Sequence, residues 1–83
     1  MECKDLERIV LASMPEAQVS VSGGDGKYQV AVVSTQFAGL NILDRHRLVY
    51  STVKEQITDG TVHALSIEAR SPQENDDELN SNS

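Results

Sequence analysis

The chain has 83 residues, a net charge of −6 and a single cysteine. Only one small domain fits in this length, burying roughly 60% of the surface that the unfolded chain exposes, which leaves little room for a deep enzyme cleft and favours binding through a surface. The lone Cys3 excludes an intramolecular disulfide and points to a reducing compartment, while the acidic balance argues against generic phosphate-backbone binding.

The acids are unevenly placed. Glu74, Asp76, Asp77 and Glu78 fall in a C-terminal segment with no Lys or Arg, and without them nine acids stand against seven bases. The body is therefore only mildly acidic, which leaves room for a local basic face. No apolar run approaches the ~20 residues of a membrane span. The N-terminus, with Glu2 and Asp5, has no signal-peptide apolar core. The expectation is a cytoplasmic protein, or an organelle-matrix protein trimmed of its transit segment, with no membrane contact.

Residues 3–14 are predicted to be helical, because Leu6, Ile9, Val10 and Ser13 recur at helical spacing with Cys3 on the edge of that face. Pro15 stops the helix by pushing its predecessor out of the α region. Cys3 reads either as a small, partly buried hydrophobe or as a metal-binding or redox cysteine. Gln18 to Ser22 alternates, with Val19 and Val21 inward; Gly23-Gly24-Asp25-Gly26 is a turn; and Tyr28 to Ser34 is rich in valine on both faces, as in a central strand. Together they predict a hairpin. The Gly23–Gly26 run also matches the G-x-x-G of KH nucleic-acid loops. That loop joins two helices, whereas this run joins two strands and carries a phosphate-repelling Asp25.

Asn41 is a good N-cap, with Asp44 three residues on. Over residues 42–57, helical spacing puts Ile42, Leu43, His46, Val49, Tyr50, Val53 and Ile57 on one arc, predicted to be buried. Asp44, Arg45, Arg47, Leu48 and Lys54 fall outside it. Arg45 and Arg47 then read as a solvated face or an exposed basic pair for an anionic partner. His46 reads as a core or boundary histidine with one nitrogen hydrogen-bonded, or as a residue supporting or supplying a ligand. Leu48 is an isolated exposed side chain or part of a docking patch. Asp59-Gly60 ends the helix, with the glycine at the left-handed C′ position.

Val62 to Ala69 is predicted as the third strand, with His63, Leu65, Ile67 and Ala69 on the core-facing side. His63 stands at the open end of that strand. It reads as structural, or as a ligand with one ring nitrogen exposed. A strand, a helix and a strand make a parallel crossover. The predicted fold is α+β: αββαβ(α), a single domain over residues 1–71 with a mixed three-stranded sheet and its helices on one face. Residues 72–83 read as an acidic tail, disordered or loosely helical. No nucleophile-elbow context supports a catalytic triad. One Cys and two His cannot close a zinc site, and one thiolate cannot hold an iron–sulfur cluster alone. The reading is not an enzyme.

From Val19 to Pro72 the chain resembles the BolA family. The matching residues are Val32-Val33-Ser34, Phe37-x-Gly39, Arg45-His46-Arg47-Leu48-Val49-Tyr50, and His63-Ala64-Leu65-Ser66-Ile67 with a Ser-Pro soon after. The short N-terminus and the Gly-Asp-Gly hairpin are most similar to the short bacterial, IbaG-like branch. The resemblance implies a KH-like fold without the KH G-x-x-G loop. It also implies pairing with a monothiol glutaredoxin around a shared [2Fe-2S] cluster, to which glutaredoxin and glutathione bring thiolates and the BolA protein brings the histidine matching His63. Many members carry a second His or Cys where this chain has Lys27, so one ligand is expected here. The family also implies an alternative, a stress or morphology regulator binding DNA through Arg45 and Arg47, aided by Lys27 and Lys54. Alone, the chain is expected as a monomer or weak homodimer with no tightly held cofactor.

Overall fold

The computed structural model describes residues 1–81, with side chains described through residue 77. The elements run α1 (Cys3–Ser13), β1 (Gln18–Gly24), β2 (Lys27–Val33), a 3-10 turn (Thr35–Phe37), α2 (Ile42–Thr52), α3 (Lys54–Thr58), β3 (Ala64–Arg70) and α4 (Pro72–Ser81). The sheet order is β1-β2-β3, antiparallel then parallel. This is the mixed three-stranded α+β domain that the sequence predicts. No helix among the described residues is long and apolar enough to cross a membrane.

The hairpin tip is two residues long, since Gly24 pairs with Lys27. Asp25 and Gly26 both have positive φ, 55° and 81°, as a type I′ turn demands. Strand alternation then sends Tyr28, Val30 and Val32 to the helix side, all buried. They meet Leu6, Val10 and Met14 of α1, Val49 and Val53 from the α2–α3 segment, and Phe37 from the 3-10 turn. Ser34 caps that turn: its hydroxyl accepts from the Gln36 amide at 3.1 Å and donates to the Glu16 carboxylate. A second hydroxyl, on Thr35, donates to the same oxygen at 3.1 Å.

Four expectations are corrected. The helix predicted across 42–57 breaks at Val53 (φ −118°, ψ 20°). Just before the break, Ser51 and Thr52 turn their hydroxyls onto the carbonyls of Leu48 and Val49 at 2.6 and 2.7 Å, a local bonding pattern that bends helices. The buried arc is also rotated by about a quarter-turn. Val49 and Val53 are buried and Leu48 packs on the core, whereas Ile42, Leu43, Tyr50 and Ile57 are exposed. Third, β3 starts at Ala64, two residues later than expected.

The fourth correction is the tail, which continues as α4. Ser71 is buried and its hydroxyl accepts from the Glu74 amide at 3.3 Å, while the Glu74 carboxylate accepts from the Ser71 amide at 2.7 Å. That reciprocal capping box, with Pro72 as the first helical residue, starts a helix that composition alone disfavours. Residues 82 and 83 of the predicted tail lie outside the described residues.

Candidate functional site

His63 stands just before β3, where the chain meets the hairpin. The Gly26 carbonyl accepts two amides at once, from His63 at 2.7 Å and from Ala64 at 3.1 Å. Alternation puts Gly26 and His63 on the helix side of the sheet and Lys27 and Ala64 on the other. The imidazole lies directly against the glycine: a Cβ built on Gly26 would sit 2.3 Å from His63 Cδ2 and 3.3 Å from Nε2. Gly26 is thus required twice, for its positive φ and for the space that the ring occupies. The imidazole is exposed, and no hydrogen bond to either ring nitrogen occurs among the described residues.

The surroundings add a short N-terminal strap. Tyr28 is buried, and its hydroxyl donates to the Met1 carbonyl at 2.6 Å. The Cys3 thiol, half-buried, contacts the Gly23 carbonyl at 3.4 Å. No group of three or more His, Cys, Asp or Glu side chains suited to a metal ion occurs among the described residues. The donor set at this corner is therefore one unencumbered imidazole. It suits a metal centre completed by another molecule and does not suit one enclosed by this chain.

The two arginines of α2 part company. Arg45 turns inward, its side chain 13% exposed. Its Nε donates to the Leu40 carbonyl at 2.9 Å and one terminal nitrogen to the Ala69 carbonyl at 3.2 Å. The fork grips Glu74 at 2.6 and 3.1 Å, and the guanidinium carbon lies 6.0 Å from the Phe37 ring centre. The Glu74 carboxyl is lowered from 4.5 to about 2, chiefly by Arg45 and then by the Ser71 amide. Arg45 is thus a clasp between α2, β3 and α4, and the exposed Arg45/Arg47 pair expected for nucleic acid does not form.

Arg47 does face solvent, 71% exposed, with Asp44 at 3.6 Å. Lys27 and Lys54 are exposed as well, Lys27 on the other side of the sheet. His46 is half-buried and, against expectation, makes no side-chain hydrogen bond among the described residues. Arg47 and Lys54 flank an apolar recess of ≈ 280 Å³ with Tyr50 and Ile57. The Tyr50 hydroxyl donates to the Leu65 carbonyl at 3.2 Å, so this recess lies at the same end of β3 as His63.

Comparison with known proteins decides the family. The family model described as BolA-like protein matches residues 8–74. The chain belongs to the BolA family. A protein encoded in the rpoN–murA intergenic region of Acinetobacter guillouiae is 36% identical to it over 74 residues, covering 89% of each chain. The acid stress protein IbaG of Escherichia coli is 32% identical over 74 residues, covering 89% of this chain and 88% of that one. Among solved structures, a BolA homologue from Coxiella burnetii superposes with a TM-score of 0.81 at 27% identity, covering 92% of this chain and 97% of the other.

Around the His63 corner of this BolA-family domain, Lys27 takes no part. The Lys27 backbone is one residue from the Gly26–His63 contact, but its side chain emerges on the opposite side of the sheet. Sequence reasoning placed His63 at the opening of the last strand and missed what holds it, although a Gly-Asp-Gly tip followed by a strand is itself the signal for a positive-φ glycine. It also missed the Arg45 clasp. The only hint of that was Ser71-Pro72-Gln73-Glu74, whose S-x-x-E spacing with proline at the first helical position announces a helix start.

Proposed function

We propose that this BolA-family chain is an adaptor that pairs with a monothiol glutaredoxin and offers His63 as one ligand to a [2Fe-2S] cluster shared with that partner and glutathione. The observation that carries the reading is the His63 imidazole, exposed, without a hydrogen bond among the described residues and seated on Gly26. A ligand that must meet a metal held by another molecule has to be accessible and oriented before the encounter, because ordering it afterwards weakens binding. Gly26 supplies that orientation through packing and through the bonds from its carbonyl to the His63 and Ala64 amides.

A bound cluster would supply electron-transfer or cluster-transfer chemistry, made less negative by a neutral imidazole in place of a thiolate. This chain's share is to bind and to orient His63. The test is to mix the chain with cluster-loaded glutaredoxin and follow visible absorption and circular dichroism. Wild type is expected to shift both spectra and His63→Ala to leave them as those of the glutaredoxin alone. Unchanged spectra with wild type, or a shift that survives His63→Ala, would sink the reading.

A further inference from the structure

The two edges of the sheet are finished differently. On β3 the outward carbonyls of Leu65 and Ala69 are taken by Tyr50 and Arg45. On β1 the outward groups belong to Val19, Val21 and Gly23, because Gly24 and Lys27 close a two-residue hairpin and the hydrogen-bonded pairs alternate from there. The Cys3 thiol takes the Gly23 carbonyl at 3.4 Å. The N–H and C=O groups of Val19 and Val21 have no partner among the described residues. β1 pairs one-to-one with β2 over seven residues, without a bulge, a proline or a charged side chain, the usual devices that blunt an exposed edge.

One stripe of α1 overhangs this edge. Ile9, Ala12 and Ser13 face α2 and α3, so Cys3, Glu7 and Leu11, spaced four residues apart, occupy the other flank. The helix returns along β1, with Cys3 anchored at the Gly23 carbonyl and a tight turn from Met14 to Ala17 at the far end. Cys3 to Leu11 rises about 12 Å, and Gly23 to Val19 covers about 14 Å. This match sets Glu7 over Val21 and Leu11 over Val19. All three stripe residues are half-buried, and Leu11 lies outside the core cluster. Glu7 has neither an ion pair nor a hydrogen bond among the described residues. A strand added here would satisfy the Val19 and Val21 backbone, set an aliphatic side chain beneath Leu11 and bring the side chain two positions away to Glu7.

We infer that the β1 edge is a strand-addition site for an extended segment of another protein, one that carries an aliphatic and a basic residue two positions apart. Unpaired backbone donors and acceptors at strand spacing are matched by another strand, and the basic residue answers Glu7 on a chain of net charge −6. The β1 strand of a second copy has no charged residue and cannot answer Glu7, which separates this occupant from self-pairing.

The probe is a capped heptapeptide of alternating threonines with valine, lysine and valine between them, titrated into the full chain and followed by amide NMR. In the free chain the Val19 and Val21 amides should exchange rapidly, whereas the Ser20 and Ser22 amides, bonded to β2, should be protected. At a peptide concentration about ten times Kd, exchange at Val19 and Val21 should slow about tenfold. Glutamate in place of the peptide lysine should weaken binding about two- to fivefold, and Glu7→Lys should reverse that preference with the fold of the chain retained. Val19 and Val21 amides already protected in the free chain, no binding at about 10 mM peptide, shifts confined to other surfaces, or a preference unmoved by Glu7→Lys would each overturn the inference. Protection that rises with the concentration of the chain alone would give the edge to a second copy and overturn it as well.

Discussion

Gly26 carries two constraints that no other residue meets together. Its φ of 81° disfavours any side chain, and the space where a Cβ would stand is filled by the His63 ring. Gly26→Ala should cost about 1–3 kcal/mol of stability, read by urea unfolding, and should also move the His63 ring resonances. A stability loss with the ring resonances unmoved would show that the glycine serves the turn alone. His63→Ala is the complementary case. The side chain is exposed and makes no hydrogen bond among the described residues, so the unfolding free energy should change by no more than about 0.5 kcal/mol, while the cluster sharing proposed for it should be lost. The Val62–Ala69 register already placed His63 on the side of Leu65 and Ile67. Its seat on Gly26 was not legible, because that contact joins residues 37 positions apart through a parallel strand pairing.

At the scale of elements, the clasp from Arg45 to Glu74 decides whether α4 is attached. Arg45→Ala should cost about 2–3 kcal/mol, since it strips the Leu40 and Ala69 carbonyls of a charged donor. Arg45→Lys should recover little of this, because an ammonium cannot reproduce the fork on Glu74. The pH dependence has a definite sign. Glu74 is depressed to about 2 from 4.5, so its stabilisation is full above pH 4.5 and drains away as the pH falls toward 2. Glu16, held down mainly by the Ser34 hydroxyl, works in the same direction. Urea midpoints measured from pH 7 to pH 2 should therefore fall below about 4.5, and Glu74→Gln should flatten part of that fall. Apolar spacing identified the α2 arc without saying which side of it the core takes. That choice depended on Arg45 and Leu48 facing inward, and periodicity alone assigns neither an arginine nor a lone leucine to the interior.

For the whole molecule, stability rests on one small core with Phe37 at its centre, fully buried on the 3-10 turn between β2 and α2. Phe37→Ala should cost about 3–5 kcal/mol, a large share of the about 5–15 kcal/mol typical of a folded domain. A steep drop in thermal midpoint would check it. The sheet is small enough that β3 is an edge strand, and α2 shields that edge: Tyr50 bonds the Leu65 carbonyl and Arg45 the Ala69 carbonyl. The sequence by itself determined the order of elements, the parity of each strand and the histidine at the opening of the last one, because these follow from local periods, turn residues and caps. Only the tertiary structure decided which face of α2 is inside, that Arg45 is a clasp and Arg47 a surface charge, and that residues 72–81 form a helix with its first turn held against the domain. Each of those outcomes depends on contacts between residues far apart in the chain, and no local pattern encodes the competition among side chains for the same small core.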